Sequence, residues 1–265
     1  MRKLSIFLVI FLVLGLAQTG EARPRRETPE KLYDQGLRQM KRGYYDEAVT
    51  SFDKVRNHFP LNQYSVLAEL RVADCLYEKA DFISAVDAYQ QFVRLHPRHE
   101  ELDYAKMRVG RAYFKQANRI PAKDQTYTEM TLSSLEGFED RFPESDYLTE
   151  VIEIRGKCLV RLSRTEVQVG DFYFWRKSYT AAQRRYADLL QDYPDSPVVP
   201  RARYRLGVCL VKLEQPDEGE AVLRQVLELH PDTPQARRAE RWIGRVEADR
   251  TLGASDDAGA ATDGD

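Results

Sequence analysis

Apolar residues recur along this chain at the three- and four-residue spacing of amphipathic helices. Five of these stretches end where a proline follows an aromatic or histidine ring: Phe59-Pro60, His96-Pro97, Phe142-Pro143, Tyr193-Pro194 and His230-Pro231. Proline ends a helix because it lacks an N–H group and its ring clashes with the preceding turn. The pattern therefore predicts a series of helices with five regularly placed ends.

Small and bulky residues stand at fixed distances before each of these prolines. Twelve residues before the proline are Ala48, Ala85, Thr131, Ala182 and Gly219, and eight before it are Phe52, Tyr89, Leu135, Tyr186 and Leu223. Small residues recur again 24 positions before four of the prolines, at Gly36, Ala73, Gly170 and Gly207, and Gly110 is expected to take this place in the third repeat. A small side chain lets two helices approach closely, and a large one on the same face fills the groove between them.

Glycine or alanine, then alanine, then an aromatic residue, then proline is the signature of the tetratricopeptide repeat, a helix pair of about 34 residues. We therefore predict an all-α tetratricopeptide-repeat solenoid of five helix pairs with a C-terminal capping helix. Its predicted boundaries are 29–62, 63–99, 100–145, 146–196 and 197–233 for the repeats and 234–250 for the capping helix.

Two irregularities interrupt the repeat. A polar insertion, residues 119–125, must loop out between the helices of the third pair. The fourth pair begins with a long helical pattern from Tyr147 to about Arg176. Turns are expected at Gly43, at 79–82 and at 177–179, and N-caps at Asn62, Ser145, Ser196 and Thr233.

The two ends of the chain differ in composition from the repeats. Residues 1–22 have the basic start, apolar run and small residues of a secretory signal peptide, with a membrane anchor as the weaker alternative. Residues 23–28 are expected to be a linker, and 251–265 a disordered acidic tail. No cysteine occurs at positions 15–30, so lipid attachment is not expected.

Charge and motif content argue against several classes of function. Loss of residues 1–22 would move the net charge from −2 to −3, and the repeats show no basic stripe, so nucleic-acid binding is not expected. Cys75, Cys158 and Cys209 lie far apart in helical patterns and are interpreted as buried core residues. The chain has no phosphate loop, zinc motif or nucleophile elbow, so neither catalysis nor a cofactor or metal is predicted.

The first helix of each repeat is expected to line the surface that grips other polypeptides. By repeat register, the candidate residues for binding a peptide are Tyr33, Asp74, Tyr77, Arg111 and Phe114. Packing against a neighbouring helix is the alternative interpretation for each of them.

Several segments resemble one family of repeat proteins, the BamD outer-membrane assembly factors. They are 43–48 (GYYDEA), 59–65 (FPLNQYS), 92–110 (FVRLHPRHEELDYAKMRVG), 124–126 (DQT), 142–147 (FPESDY) and 171–185 (DFYFWRKSYTAAQRR). The chain departs from that family in lacking the lipid-attachment cysteine.

The resemblance implies a protein on the periplasmic side of the outer membrane, peripheral to it, that binds the barrel-assembly protein BamA and unfolded barrel precursors. It also implies that Arg185, with Arg184 beside it, contacts BamA. Two alternatives stay open: a soluble periplasmic adaptor for Tol-Pal or cell-wall machinery, and an enzyme hidden within the array.

Overall fold

A computed structural model describes residues 27–260 of the chain. The predicted signal peptide, most of the linker and residues 261–265 of the tail lie outside this range. The described residues form twelve α-helices and no strand. The helices are α1 Pro29–Lys41, α2 Tyr45–His58, α3 Gln63–Glu78, α4 Phe82–Leu95, α5 Leu102–Gln116, α6 Thr126–Ser134, α7 Phe138–Arg141, α8 Leu148–Trp175, α9 Tyr179–Asp192, α10 Val199–Lys212, α11 Pro216–Leu229 and α12 Pro234–Ala260.

Consecutive helices form five pairs, α1/α2, α3/α4, α5/α6, α8/α9 and α10/α11, followed by α12. This arrangement confirms the predicted all-α tetratricopeptide-repeat class. The chain divides into two compact units, one ending at Ala68 and the other beginning at Glu69. Helix α3 contributes residues to both units.

Each second helix ends where the ring-proline pairs predict. Helices α2, α4, α7, α9 and α11 have as their C-caps Phe59, His96, Phe142, Tyr193 and His230, each directly before a proline. The turns inside four pairs contain a residue with positive φ, at Gly43, Ala80, Lys177 and Glu214. One left-handed residue lets the chain reverse in a short turn, and only Gly43 takes that conformation without steric cost.

The four predicted N-caps divide into two groups. Asn62 and Thr233 directly precede α3 and α12, and their side chains accept hydrogen bonds from the N–H groups of Tyr64 (2.9 Å) and Ala236 (3.3 Å). Ser145 and Ser196 precede α8 and α10 by three residues and instead accept from the N–H groups of Tyr147 and Val198. The last two predictions were therefore placed too early, because two further residues separate each serine from the first residue of its helix.

In four of the five pairs, a small residue of the first helix is in close contact with a bulky residue of the second. A Cβ added to Gly36 would come within 2.5 Å of the Phe52 ring, and one added to Gly110 within 2.5 Å of Leu135. Equivalent contacts join Gly170 to Tyr186 and Gly207 to Leu223. All four bulky side chains are fully buried. The prediction that Gly110 takes the small position in the third pair is confirmed.

The third pair differs from the others in its second helix. Residues 117–125 leave the helical path between α5 and α6, as the insertion predicts, and Gly137 then adopts φ 64°. The left-handed residue divides the second helix into α6 and the single turn α7. Phe138 and Leu135 flank this break and are both buried.

Two helices are longer than a repeat helix. α8 has 28 residues and a length of about 42 Å at 1.5 Å per residue, at the position where the long pattern predicts it.

α12 continues to Ala260, although the composition predicts disorder from residue 251. Arg250 pairs with Asp217 (2.5 Å) and Glu220 (3.2 Å) of α11, which holds the helix in place up to this point. Each further residue then needs only propagation of the helix, which is far less costly than nucleation.

A buried ionic cluster joins the second pair to the third. The carboxylate of Asp74 in α3 accepts hydrogen bonds from the hydroxyls of Tyr89 (2.5 Å) and Tyr104 (2.8 Å) and from Arg71 (2.6 Å). Arg108 of α5 donates to the Tyr89 oxygen at 2.8 Å and lies 3.7 Å from the Asp74 carboxylate. Burial raises the pKa of Tyr89, and so does the neighbouring Asp74 charge. Tyr89 therefore stays protonated and acts as a donor.

The same cluster recurs between the fourth and fifth pairs. Asp171 of α8 accepts a hydrogen bond from Tyr186 (2.7 Å), fifteen residues further on, which is also the spacing of Asp74 and Tyr89. Arg205 of α10 lies 3.8 Å from Asp171 and takes the place of Arg108, and Arg201 pairs with the same carboxylate. The Asp–Tyr–Arg cluster is thus a repeated joint between successive helix pairs.

Two glycines of α8 test the packing rule within one helix. Gly170→Ala is expected to destabilise the protein by about 1–3 kcal/mol, because the new methyl group overlaps Tyr186. Gly156→Ala is expected to stabilise it by up to about 1 kcal/mol, because its Cβ meets open space and alanine favours helix. Urea denaturation measures both values. Equal effects of the two changes would contradict this account.

Removal of the Asp74 carboxylate tests the joint. Asp74→Ala is expected to lower the free energy of unfolding by about 3–5 kcal/mol, because it removes the buried carboxylate beside Arg108 and leaves that guanidinium only the half-exposed Glu78, at 3.4 Å. Asp87→Ala, at an exposed position of α4, is the control and should change the unfolding free energy by less than about 0.5 kcal/mol. A decrease in the unfolding free energy of less than about 1 kcal/mol for Asp74→Ala would show that the cluster is not needed for the stability of the fold.

Candidate functional site

Three of the five residues predicted to bind peptide are interior. Tyr33, 8% exposed, packs its ring 5.5 Å from Phe52 and 5.4 Å from Tyr64. Asp74, 3% exposed, is the centre of the first ionic cluster. Tyr77, 7% exposed, lies with its ring centroid 3.8 Å from the Arg108 guanidinium carbon. Ring packing and charge pairing occupy most of the surface of these three side chains, which favours the alternative interpretation, packing against a neighbouring helix.

Arg111 and Phe114 of α5 do reach the surface. Arg111 forms an ion pair with Glu150 of α8 at 3.2 Å, and its side chain is 38% exposed. Phe114 is partly exposed, and the Arg161 guanidinium carbon lies 5.1 Å from its ring centroid. The structure thus brings these two candidates to the junction of α5 and α8 and leaves the other three in the interior.

A groove of about 570 Å³ lies beside Phe114. Helix α5, the insertion loop 117–125 and α8 form its walls. The lining residues are Phe114, Arg119, Pro121, Gly156, Lys157, Val160, Arg161 and Arg164. We call it the basic groove, because four of its lining residues are cationic and none is acidic.

The cations of the basic groove differ in how far they are paired. Lys157 pairs with Glu153 at 2.5 Å, and Arg161 donates to the hydroxyl of Thr128 at 3.4 Å. Arg119 and Arg164 are exposed and form no ion pair with any residue in 27–260. Two guanidinium groups therefore remain available to an anionic group in the groove.

The insertion loop that forms one wall is held in a defined conformation. The buried side-chain amide of Gln125 donates to the carbonyls of Ile120 (2.9 Å) and Lys123 (3.1 Å). Thr165 of α8 donates to the carbonyl of Pro121 at 2.9 Å. The loop is thereby tied both to itself and to the long helix, so the groove exists before any ligand arrives.

Sequence reasoning missed the cations of the groove. Lys157, Arg161 and Arg164 are spaced by four and three residues, which places them on one face of α8. This spacing is a usable signal of a cationic face, whereas the apolar positions of the long helix carry no information about it. Arg119 is separated from them by some forty positions and joins them only through the fold.

The two residues implied to contact BamA are exposed on α9. Arg185 lies 3.5 Å from Glu166 of α8, and its side chain is 46% exposed. Arg184 precedes it and is also exposed. Both guanidinium groups are therefore accessible to a partner.

The residues most often used for chemistry are in structural positions. All three cysteines are free thiols in the core, as predicted, and burial raises the pKa of Cys158 to about 11 and of Cys209 to about 12. His96 pairs with Glu69 at 2.9 Å and packs on Phe92. Burial, followed by the nearby Arg203 charge, lowers the pKa of His230. Within 27–260 no group of three or more acidic, histidine or cysteine side chains is placed to hold a metal ion.

A helix that crosses a membrane must be both long and apolar. None of the helices in the described part of the chain combines the length and the apolar character that crossing a bilayer requires.

Comparison with known families agrees with the repeat pattern. The YfiO family model, described as an outer membrane lipoprotein, matches residues 25–209. A tetratricopeptide-repeat model matches residues 176–243. Together the two models span both the irregular third and fourth pairs and the regular fifth pair.

Several curated relatives are named as the outer membrane protein assembly factor BamD. The outer membrane protein assembly factor BamD of Rickettsia prowazekii (strain Madrid E) is 28% identical over 220 residues, which cover 83% of this chain and 87% of that protein. BamD of Pasteurella multocida (strain Pm70) is 23% identical, covering 85% of this chain and 100% of the relative. BamD of Neisseria gonorrhoeae is 26% identical, covering 77% and 80%.

Among solved structures, the chain is similar to the TPR2AB domain of yeast Sti1, solved as a complex with pHSP90, with a TM-score of 0.44, 17% identity and 86% coverage of each chain. A tetratricopeptide repeat protein from Parabacteroides merdae gives a TM-score of 0.42 at 15% identity, with coverage of 83% of this chain and 77% of that one. The family model covers well over half of the sequence. The chain therefore belongs to the YfiO family.

Proposed function

We propose that this protein is a non-enzymatic scaffold in the assembly of outer-membrane β-barrel proteins, and that it binds BamA and unfolded barrel precursors at the periplasmic face of the outer membrane. The observation that carries the proposal is the match of the YfiO family model over residues 25–209, together with curated relatives named as assembly factors. Tetratricopeptide repeats suit this role, because they present surfaces that bind other polypeptides.

The α9 face is our proposed contact for BamA. Arg184 and Arg185 are exposed there, and the ion pair of Arg185 with Glu166 is long and half-exposed. An exposed ion pair of this kind contributes at most about 1 kcal/mol to the free energy of folding. Arg185 can therefore exchange Glu166 for a partner carboxylate at little cost in free energy.

Barrel precursors are proposed to bind at the surface that contains Arg111 and Phe114. These are the two of the five predicted contact residues that remain accessible. An aromatic ring beside several cations provides both an apolar contact and charge for an extended chain.

Co-purification tests the proposed BamA contact. A tagged protein expressed in its own bacterium is expected to retain BamA, and Arg185→Glu should reduce the BamA recovered by about ten-fold or more, the scale expected when a charge at an interface is reversed. Glu166→Arg removes the same internal ion pair but keeps Arg185, so this control should still retain BamA. Arg237→Glu, at an exposed position of α12, controls for charge alone.

Three outcomes would count against the proposal. Recovery of Tol-Pal or cell-wall proteins in place of BamA would favour the periplasmic adaptor. Unchanged recovery of BamA with a folded Arg185→Glu variant would remove the α9 contact. Equal loss with Glu166→Arg would show that the ion pair acts by holding α8 and α9 together and not by contacting BamA.

A further inference from the structure

We propose that the basic groove binds the carboxylate groups of an extended, acidic polypeptide segment. The inference deepens the polypeptide-binding part of the proposed function and rests on it for the identity of the ligand. It begins from a charge imbalance: four cations line the groove, no carboxylate lines it, and Arg119 and Arg164 form no ion pair in residues 27–260. Guanidinium groups bind carboxylates through paired, charge-assisted hydrogen bonds.

Three of the residues that line the groove are apolar, which favours a peptide over a free anion. Phe114, Pro121 and Val160 lie among the cations. Arg161 stacks over Phe114, so its charge is held at the edge of an apolar surface. A peptide can place an apolar side chain against these apolar residues and a carboxylate on a guanidinium group, whereas inorganic phosphate can use only the cations.

Gly156 adds an observation that is independent of charge. Other glycines inside helices of this protein, such as Gly110 and Gly170, face bulky side chains at distances that no Cβ would tolerate. Gly156 and Gly244 have no such neighbour, since a Cβ at either position meets nothing within 4 Å, and of these two it is Gly156 that lines the groove. Glycine inside a helix lowers the stability of the protein by roughly 0.5–1 kcal/mol relative to alanine. At position 156 close packing does not explain why glycine is present. Its missing side chain leaves the helix backbone open where a ligand chain would lie.

The size and rigidity of the groove fit one short segment of chain. Its volume of about 570 Å³ falls within the range of ligand pockets in proteins. The hydrogen bonds of Gln125 and Thr165 hold the insertion loop in place, so binding does not have to order it. A nucleic acid would require a basic surface that follows many phosphates, and the chain as a whole has a net charge of −2.

Fluorescence anisotropy with purified full-length protein tests the proposal. The probe is a fluorescein-labelled eight-residue peptide with alternating glutamate and leucine, and its matched control carries glutamine at every glutamate. The acidic peptide is expected to bind at least about ten-fold more tightly than the glutamine peptide, as expected for charge-assisted hydrogen bonds. Its affinity should also fall as salt is raised.

Two groove variants separate charge from shape. The double variant Arg119→Ala with Arg164→Ala should weaken binding of the acidic peptide by about ten-fold or more, because it removes both unpaired guanidinium groups. Gly156→Trp leaves every charge in place and should weaken binding equally by filling the groove. The matched control, Arg237→Ala with Arg241→Ala on the exposed face of α12, should remain within about two-fold of the unchanged protein.

Several results would overturn the proposal: no preference for the acidic peptide, full affinity in a groove variant whose melting curve matches that of the unchanged protein, or equal loss in the α12 control. Preferential binding to phosphatidylglycerol vesicles without peptide binding would overturn it in favour of a lipid surface. The assay contains no BamA, so its failure leaves the co-purification test of the proposed function untouched. Loss of BamA recovery likewise leaves the anisotropy result unchanged.

Discussion

A carboxylate buried between helices must be compensated by hydrogen-bond donors and by a positive charge, since an unpaired buried charge is among the most costly features in a folded chain. In this protein Asp74 and Asp171 each accept a hydrogen bond from a tyrosine of their own helix pair and lie beside the positive charge of an arginine of the next pair. Because the geometry must satisfy all partners together, each cluster fixes how far one pair can slide or rotate against the next. Apolar packing alone would leave that register less well defined.

The first of these clusters also sets the position of the groove. Arg108 anchors the middle of α5, and Phe114 lies further along the same helix. The second cluster anchors the C-terminal part of α8 through Asp171, where Gly170 meets Tyr186. α8 is about twice as long as a typical repeat helix, and Thr165 in its central part contacts the insertion loop. The extra length of α8 and the insertion in the third pair thus have one structural consequence, a preformed groove between two repeats.

Local charge in the molecule differs from its overall charge. The chain carries nearly equal numbers of basic and acidic residues, 40 and 42, so its net charge gives no sign of a cationic surface. Three of the four basic residues of α8 lie on one face of the helix, and the fold adds Arg119 from the loop. For a scaffold, such a surface can select extended partners while the rest of the molecule stays close to neutral.

The sequence by itself determined the all-α repeat class, the ends of the second helices, the place of the insertion and the burial of the cysteines. These features depend on local rules: proline stops a helix, small residues permit close packing, and apolar spacing marks a buried face. Only the tertiary structure decided that Asp74 and Tyr77 are interior, that Gly137 breaks the third pair, and that Arg119 joins three cations of α8. Register within a repeat cannot distinguish a side chain that faces a partner from one that faces the next helix pair, because that depends on residues far away in the sequence. Asp74 looks like a surface charge until the guanidinium of Arg108, about one repeat length away, is placed beside it.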